Sequence, residues 1–180
     1  MTSSKSSTRI LVTSAILMAL GTVLHTVVPG FGIKPDFMLA CMFVSLTLTK
    51  RNSEMAVIGI VAGIITAMTT GFPAGQIPNL VDKALTTIFF GFLLRLMQRK
   101  GEVKLFEYGI LFFIGTMFSG SVFLACCLLL GKLLGMAEVI AIFSGGLIPM
   151  LIAVVFPTAC ANTVFGIIMV KIIKIIDKTK

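Results

Sequence analysis

The sequence predicts an all-α membrane protein, a bundle of six transmembrane helices with cytoplasmic N- and C-termini, and three observations carry that prediction. Apolar stretches at roughly residues 10–28, 35–49, 55–71, 78–97, 108–131 and 147–170 fill most of the 180-residue chain. A bilayer core of about 30 Å takes roughly 20 helical residues to cross. Hydrophobic residues make up 57% of the chain and charged residues only 12%, far from the balance of soluble domains. Residues 1–180 therefore read as a single integral membrane domain. The second stretch is the shortest, held between Pro35 and Lys50, with room to extend outward to Phe31.

The third observation is the placement of charge. Fifteen Lys and Arg against seven acids would suggest a nucleic-acid binder in a soluble chain; here they lie mostly between the apolar stretches. Sorted by alternate gaps, Lys5, Arg9, Lys50, Arg51, Arg95, Arg99, Lys100, Lys104, Lys171, Lys174, Lys178 and Lys180 share one side, and Lys34, Lys83 and Lys132 the other. Basic residues near span ends favour the cytoplasm, so the larger group marks the inner face. Asp36, Asp82 and Glu138 balance the outer lysines, which leaves the formal +8 on the inner side, facing anionic lipid.

The first span follows Lys5 and Arg9 but lacks a small-x-small cleavage site near its end, so it reads as a retained helix and not a signal peptide. Cys41, Cys126, Cys127 and Cys160 all fall within spans, as small apolar residues without disulfide or zinc spacing. Ala15 and Ala19, with Ser14 and Gly21 nearby, leave a smooth strip on helix one. Small residues four apart let membrane helices approach closely. Gly59, Gly63 and Ala67 repeat the pattern on helix three, where internal packing is the expected use.

The outer loops are the chemically unusual part. One runs Pro29-Gly30-Phe31-Gly32-Ile33-Lys34-Pro35-Asp36; another runs from Phe72 through Gln76, Pro78 and Asn79 to Asp82 and Lys83. Proline suits the first turn of a helix, so Pro35 and Pro78 are expected to open helices two and four. Asn79 and Lys83 then share a face at i and i+4, with Asp82 beside Asn79 at i and i+3. Ionisable groups below the membrane surface are costly unless they face protein, water or each other, which makes this cluster a candidate site. Mutual neutralisation of Asp82 with Lys83 and of Asp36 with Lys34 is the plainer alternative.

An amino-acid ligand would find each of its parts provided for. The start of helix four and Lys83 suit a carboxylate, and Asp36 or Asp82 suits an ammonium group. Phe31, Phe37 and Phe72 flank the same loops and can stack on an aromatic ring, while Gln76 or Asn79 can accept from a ring N–H. On helix six, Pro157 frees the carbonyl of Ala153 and bends the axis. Asn162, some way below Pro149, is expected to hydrogen-bond between helices, with a place on the pocket floor as its second use. His25 reads as an interfacial residue before a cavity-lining one.

No G-x-x-x-x-G-K-[ST] loop, H-E-x-x-H motif or Cys/His cluster is present in the sequence, so neither nucleotide hydrolysis nor metal catalysis is read here, and the protein is not expected to be an enzyme. Nor does a pair of inverted broken helices suggest a self-sufficient secondary transporter.

The run Phe72-Pro73-Ala74-Gly75-Gln76-Ile77-Pro78-Asn79, with Asp82-Lys83, Lys34-Pro35-Asp36, and Pro157 followed by Asn162-Thr163, resembles the tryptophan transporter family. These are substrate-specific S components of bacterial energy-coupling factor (ECF) importers. The resemblance spans nearly the whole chain. It implies a six-helix protein of the cell membrane that binds L-tryptophan near its outer face and has no cofactor of its own. It further implies docking on a membrane T component coupled to two cytoplasmic ATPases that use the ATP. Ala15 and Ala19 match the docking surface; Phe31, Lys34, Asp36, Phe72, Gln76, Asn79, Asp82, Lys83 and Asn162 are the expected substrate-binding residues. An S component for another small nutrient, such as a vitamin, and a proton-coupled carrier using Asp36, Asp82 or His25 are the alternatives.

Overall fold

The computed structural model describes residues 2–27 and 36–178, with side chains described for residues 7–27 and 36–176. Phe31, Lys34 and the Pro35 turn lie outside the described residues. Among those described, all regular structure is helical, without a strand: α1 (Thr2–Val27), α2 (Phe37–Leu48), α3 (Asn52–Thr69), α4 (Gln76–Gln98), α5 (Leu105–Leu133), α6 (Ala137–Ile142), α7 (Leu147–Met150), a π-helical turn (Leu151–Val155) and α8 (Phe156–Lys178). The segment between the fifth and sixth apolar stretches thus contains a short helix, α6.

Among the described residues, four helical segments are long and apolar enough to cross a membrane: Ser7–Val27, Asn52–Thr69, Leu105–Leu133 and Leu147–Ile176. The two other expected spans differ for separate reasons. Helix α2 has 12 residues, about 18 Å at 1.5 Å per residue. Helix α4 has 23 residues, and its apolar run is interrupted by Asp82, Lys83 and Arg95.

Local chemistry explains the ends. Asp36 caps α2 by accepting from the Leu39 N–H at 2.9 Å. Gly75 precedes α4, so Pro78 is the third helical residue and not the first, still within the turn whose N–H groups have no helical partner. At the opposite end, buried Glu54 accepts from the Lys50 and Arg51 N–H groups at 2.8 and 3.1 Å and from the Ser7 hydroxyl at 2.7 Å. It ties α1 to the α2–α3 turn. Immediately before Pro157, which has no N–H to continue the α-helical ladder, the backbone winds as the π turn, a common accommodation of a broken ladder.

Helix α2 is the centre of the bundle. Every residue from Met38 to Leu46 is buried, and α2 packs against α1, α3, α4, α5 and α8. Phe43 of α2 stacks on Phe90 of α4 with centroids 4.3 Å apart, and Phe112 of α5 lies parallel to both rings at 6.1 and 6.0 Å. The offset parallel geometry suits the ring quadrupoles. Close helix contacts rely on missing side chains: a Cβ on Gly59 of α3 would collide with Thr87 of α4. Gly120 of α5 meets Val155 of the π turn in the same way.

Candidate functional site

A cavity of about 450 Å³ opens between α1, α4, α5 and the π turn, beside the Asp36 cap. Its size falls in the range of small-molecule sites, and its surface is chiefly apolar, with the charged groups Asp36, Asp82 and Lys83 close together. Phe72, Phe123 and Leu124 line it, as do Met150, Val154 and Val155 from the region around the π turn. Phe72 meets Phe123 edge-on at 5.5 Å and Phe143 at 6.3 Å, so the α3–α4 loop is held by aromatic contacts to α5 and to the residue after α6.

The polar wall is built on α4. Lys83 is 2% exposed and Asp82 fully buried. Lys83 Nζ donates to Asp82 Oδ2 at 2.6 Å and lies 3.6 Å from Asp36 Oδ2 and 3.5 Å from Ser119 Oγ. Asp82 accepts further from Ser119 Oγ on α5 at 2.8 Å and, through Oδ1, from Thr86 Oγ1 at 2.8 Å. Both Asp82 oxygens are therefore engaged, as a buried carboxylate requires. Asp36 is more open, with its side chain 25% exposed, and His25 Nδ1 stands 3.8 Å from its Oδ1. With two carboxylates around one ammonium, the wall carries an excess of one negative charge before His25 is counted.

The residues named from sequence separate into groups. Asp36, Phe72, Asn79, Asp82 and Lys83 line the cavity together. Asn79 donates through Nδ2 to the Gly75 carbonyl at 2.8 Å, which fixes the start of α4. Gln76 is exposed and outside the lining. Phe37 instead meets Phe165 of α8 edge-on at 5.2 Å. Asn162 is fully buried behind the lining and donates to Thr116 Oγ1 of α5 at 3.4 Å. His25, read from sequence as interfacial before cavity-lining, lines the cavity.

Sequence reasoning passed over Ser119, Thr116, Thr66 and Thr86. Thr86 was within reach, four residues after Asp82 on one helix face. Ser119 lies 37 residues from Asp82, and nothing local marks it.

A family model described as the tryptophan transporter TrpP matches residues 7–178. The chain belongs to the tryptophan transporter family. A relative from Bacillus subtilis (strain 168), named a probable tryptophan transport protein, is 43% identical over 94% of this chain and 92% of its own. Proteins of the same name from Clostridium acetobutylicum and Clostridium perfringens are 34% and 29% identical, over 91% and 94% of this chain and 91% and 93% of their own. No solved structure gives a significant match. As a member of a transporter family with several apolar helices, the protein is a multi-pass protein of the cell membrane.

Proposed function

We propose that this protein is the substrate-binding S component of an ATP-driven ECF importer and captures L-tryptophan at the outer face. The observation that carries the reading is a buried lysine between two carboxylates on the wall of a chiefly apolar cavity of about 450 Å³. An aromatic zwitterion needs that combination: a dry surface for the ring and opposite charges for its ends. The tryptophan transport names of the relatives supply the substrate.

The two aspartates have different parts in this reading. Asp82, saturated by Lys83, Ser119 and Thr86, holds the lysine in place. Asp36 makes the long 3.6 Å contact with Lys83, and a zwitterion can enter between them, its ammonium toward Asp36 and its carboxylate toward Lys83. All six apolar stretches cross the membrane as one domain, α2 and α4 included, with both termini in the cytoplasm. The exposed Ala15 and Ala19 on α1 are the docking strip for a T component, whose two ATPases supply the energy; the sequence of this chain has no nucleotide-binding loop.

The test is calorimetry on the purified chain in detergent. L-tryptophan should bind saturably, whereas tryptamine and indole-3-propionate, each lacking one charged end, should bind at least about tenfold more weakly, the size of one lost charge-assisted hydrogen bond. Replacing Ala15 and Ala19 together by Leu should leave binding intact and abolish uptake in cells. Uptake by the isolated chain in liposomes, driven by a proton gradient alone, would falsify the ECF reading.

A further inference from the structure

We infer that a slot between α4 and α5 holds one anionic phospholipid, with an acyl chain in the slot and the phosphate on Lys100. The slot is separate from the cavity described above and shares no lining residue with it. It is a hollow of about 200 Å³. From α4 it takes Leu93, Leu96 and Met97, and Lys100 continues their i, i+3, i+4, i+7 stripe just past the helix end. From α5 it takes Ile110, Leu111 and Ile114. Leu111 is buried, while Leu96 and Ile114 are 44% and 42% exposed, so the hollow has a closed floor and open rims.

Its lining changes character in one direction. Over about 10 Å of helix, at 1.5 Å per residue, the α4 side is apolar until Lys100. A lysine stem packs along apolar surface while its ammonium stays at the polar level. Lys100 is exposed and makes no ion pair among the described residues. The α4–α5 turn also carries Arg99 and Lys104 against one acid, Glu102, and that acid is paired with Lys174 of α8 at 3.4 Å. Glu107, in the first turn of α5, is engaged as an acceptor from the Lys104 N–H at 2.7 Å. The end of the slot is therefore cationic, and basic pockets between membrane helices suit anionic headgroups. A zwitterionic lipid brings its own cation to the same place and gains less. A partner helix, about 10–12 Å across with its side chains, is too thick for a hollow of this volume, whereas one hydrocarbon chain is not.

The test is native mass spectrometry of the purified full chain, delipidated in detergent and given phosphatidylglycerol and phosphatidylcholine with the same acyl chains in equal amounts. The wild type should retain one phosphatidylglycerol at least about fivefold in preference to phosphatidylcholine, the effect of one basic residue near an anionic headgroup. Lys100→Gln should bring the preference below about twofold, while Lys171→Gln, an exposed lysine on α8 outside the slot, should leave it unchanged. Ile114→Trp, which fills the slot, should reduce retention of both lipids. If that variant does not fold, the exposed Lys100 substitution decides alone. Equal retention of the two lipids by the wild type overturns the inference. So does an equal loss of preference in Lys171→Gln, which would reflect overall charge, or undiminished retention by a folded Ile114→Trp. A lipid-free dimer that Ile114→Trp breaks would assign the slot to a second copy of the chain and overturn it as well. None of these outcomes bears on tryptophan binding, which is measured separately.

Discussion

Helices α2 and α4 both fall outside the usual description of a membrane span, for opposite reasons. Helix α2 is too short for a bilayer core and apolar on every side; α4 is long enough and carries ionisable residues. Their surroundings resolve the two cases. Around α2 the neighbour is protein on all faces, so its length is set by the bundle and not by lipid. Around α4 one face is exposed, with Ile88 and Phe92 at 70% and 65%, while the face with Asp82, Lys83 and Thr86 is sealed against α5 and the cavity. Hydrophobicity alone does not say whether a residue in such a chain meets lipid or core, since both are apolar. Charge says more, because it tolerates so few positions.

The sharpest way to break this contrast is at the α4 ion pair. Lys83→Met leaves Asp82 buried without its main partner and should cost about 3–5 kcal/mol of stability, with loss of tryptophan binding. Adding Asp82→Leu should restore most of the melting temperature in detergent and none of the binding. Recovery of binding by the double variant would show that the pair serves folding alone.

A second comparison sets one phenylalanine on each helix side by side. Phe43→Ala in α2 removes the ring stacked on both Phe90 and Phe112 and should destabilise by about 3–5 kcal/mol. Phe92→Ala on the exposed face of α4 should stay within about 0.5 kcal/mol. Equal losses in thermal melting would mean that α2 is not the enclosed strut its burial implies.

The smallest effect is expected at the mouth of α4. Gln76→Ala, outside the cavity lining, should change tryptophan affinity by no more than about 0.5 kcal/mol, roughly twofold. Asn79→Ala removes the side-chain hydrogen bond to Gly75 and a lining group, and should cost about 1 kcal/mol. If Gln76 proves the more sensitive in titration calorimetry, the outer loop closes over the ligand and brings Gln76 against it.

Much of the site was legible because it is local. Asp82 and Lys83 are adjacent in the chain, Asn79 is one turn away, and the turn-rich segments around them stand out against apolar helices. Gly59 and Gly63 announced a close contact by their spacing, and it is made with α4. His25 stayed open between cavity and interface because its place beside Asp36 depends on tertiary packing and one histidine has no pattern. Pro78 was placed two positions early in α4 because a favourable first turn accepts proline at more than one position.

The sequence by itself determined that the chain lives in a membrane, and that an aspartate and a lysine must find partners in a place that offers little water. Those are properties of composition and of order along the chain. Only the tertiary structure decided that α2 is the enclosed centre, that Ser119 closes the shell of Asp82, that His25 turns to Asp36, and that Asn162 meets Thr116 across α5 and α8. The physical reason is that these depend on which apolar face meets which. In a helix that is apolar all round, the sequence carries no preference for one face, and the choice falls to shape: glycine against threonine, ring against ring.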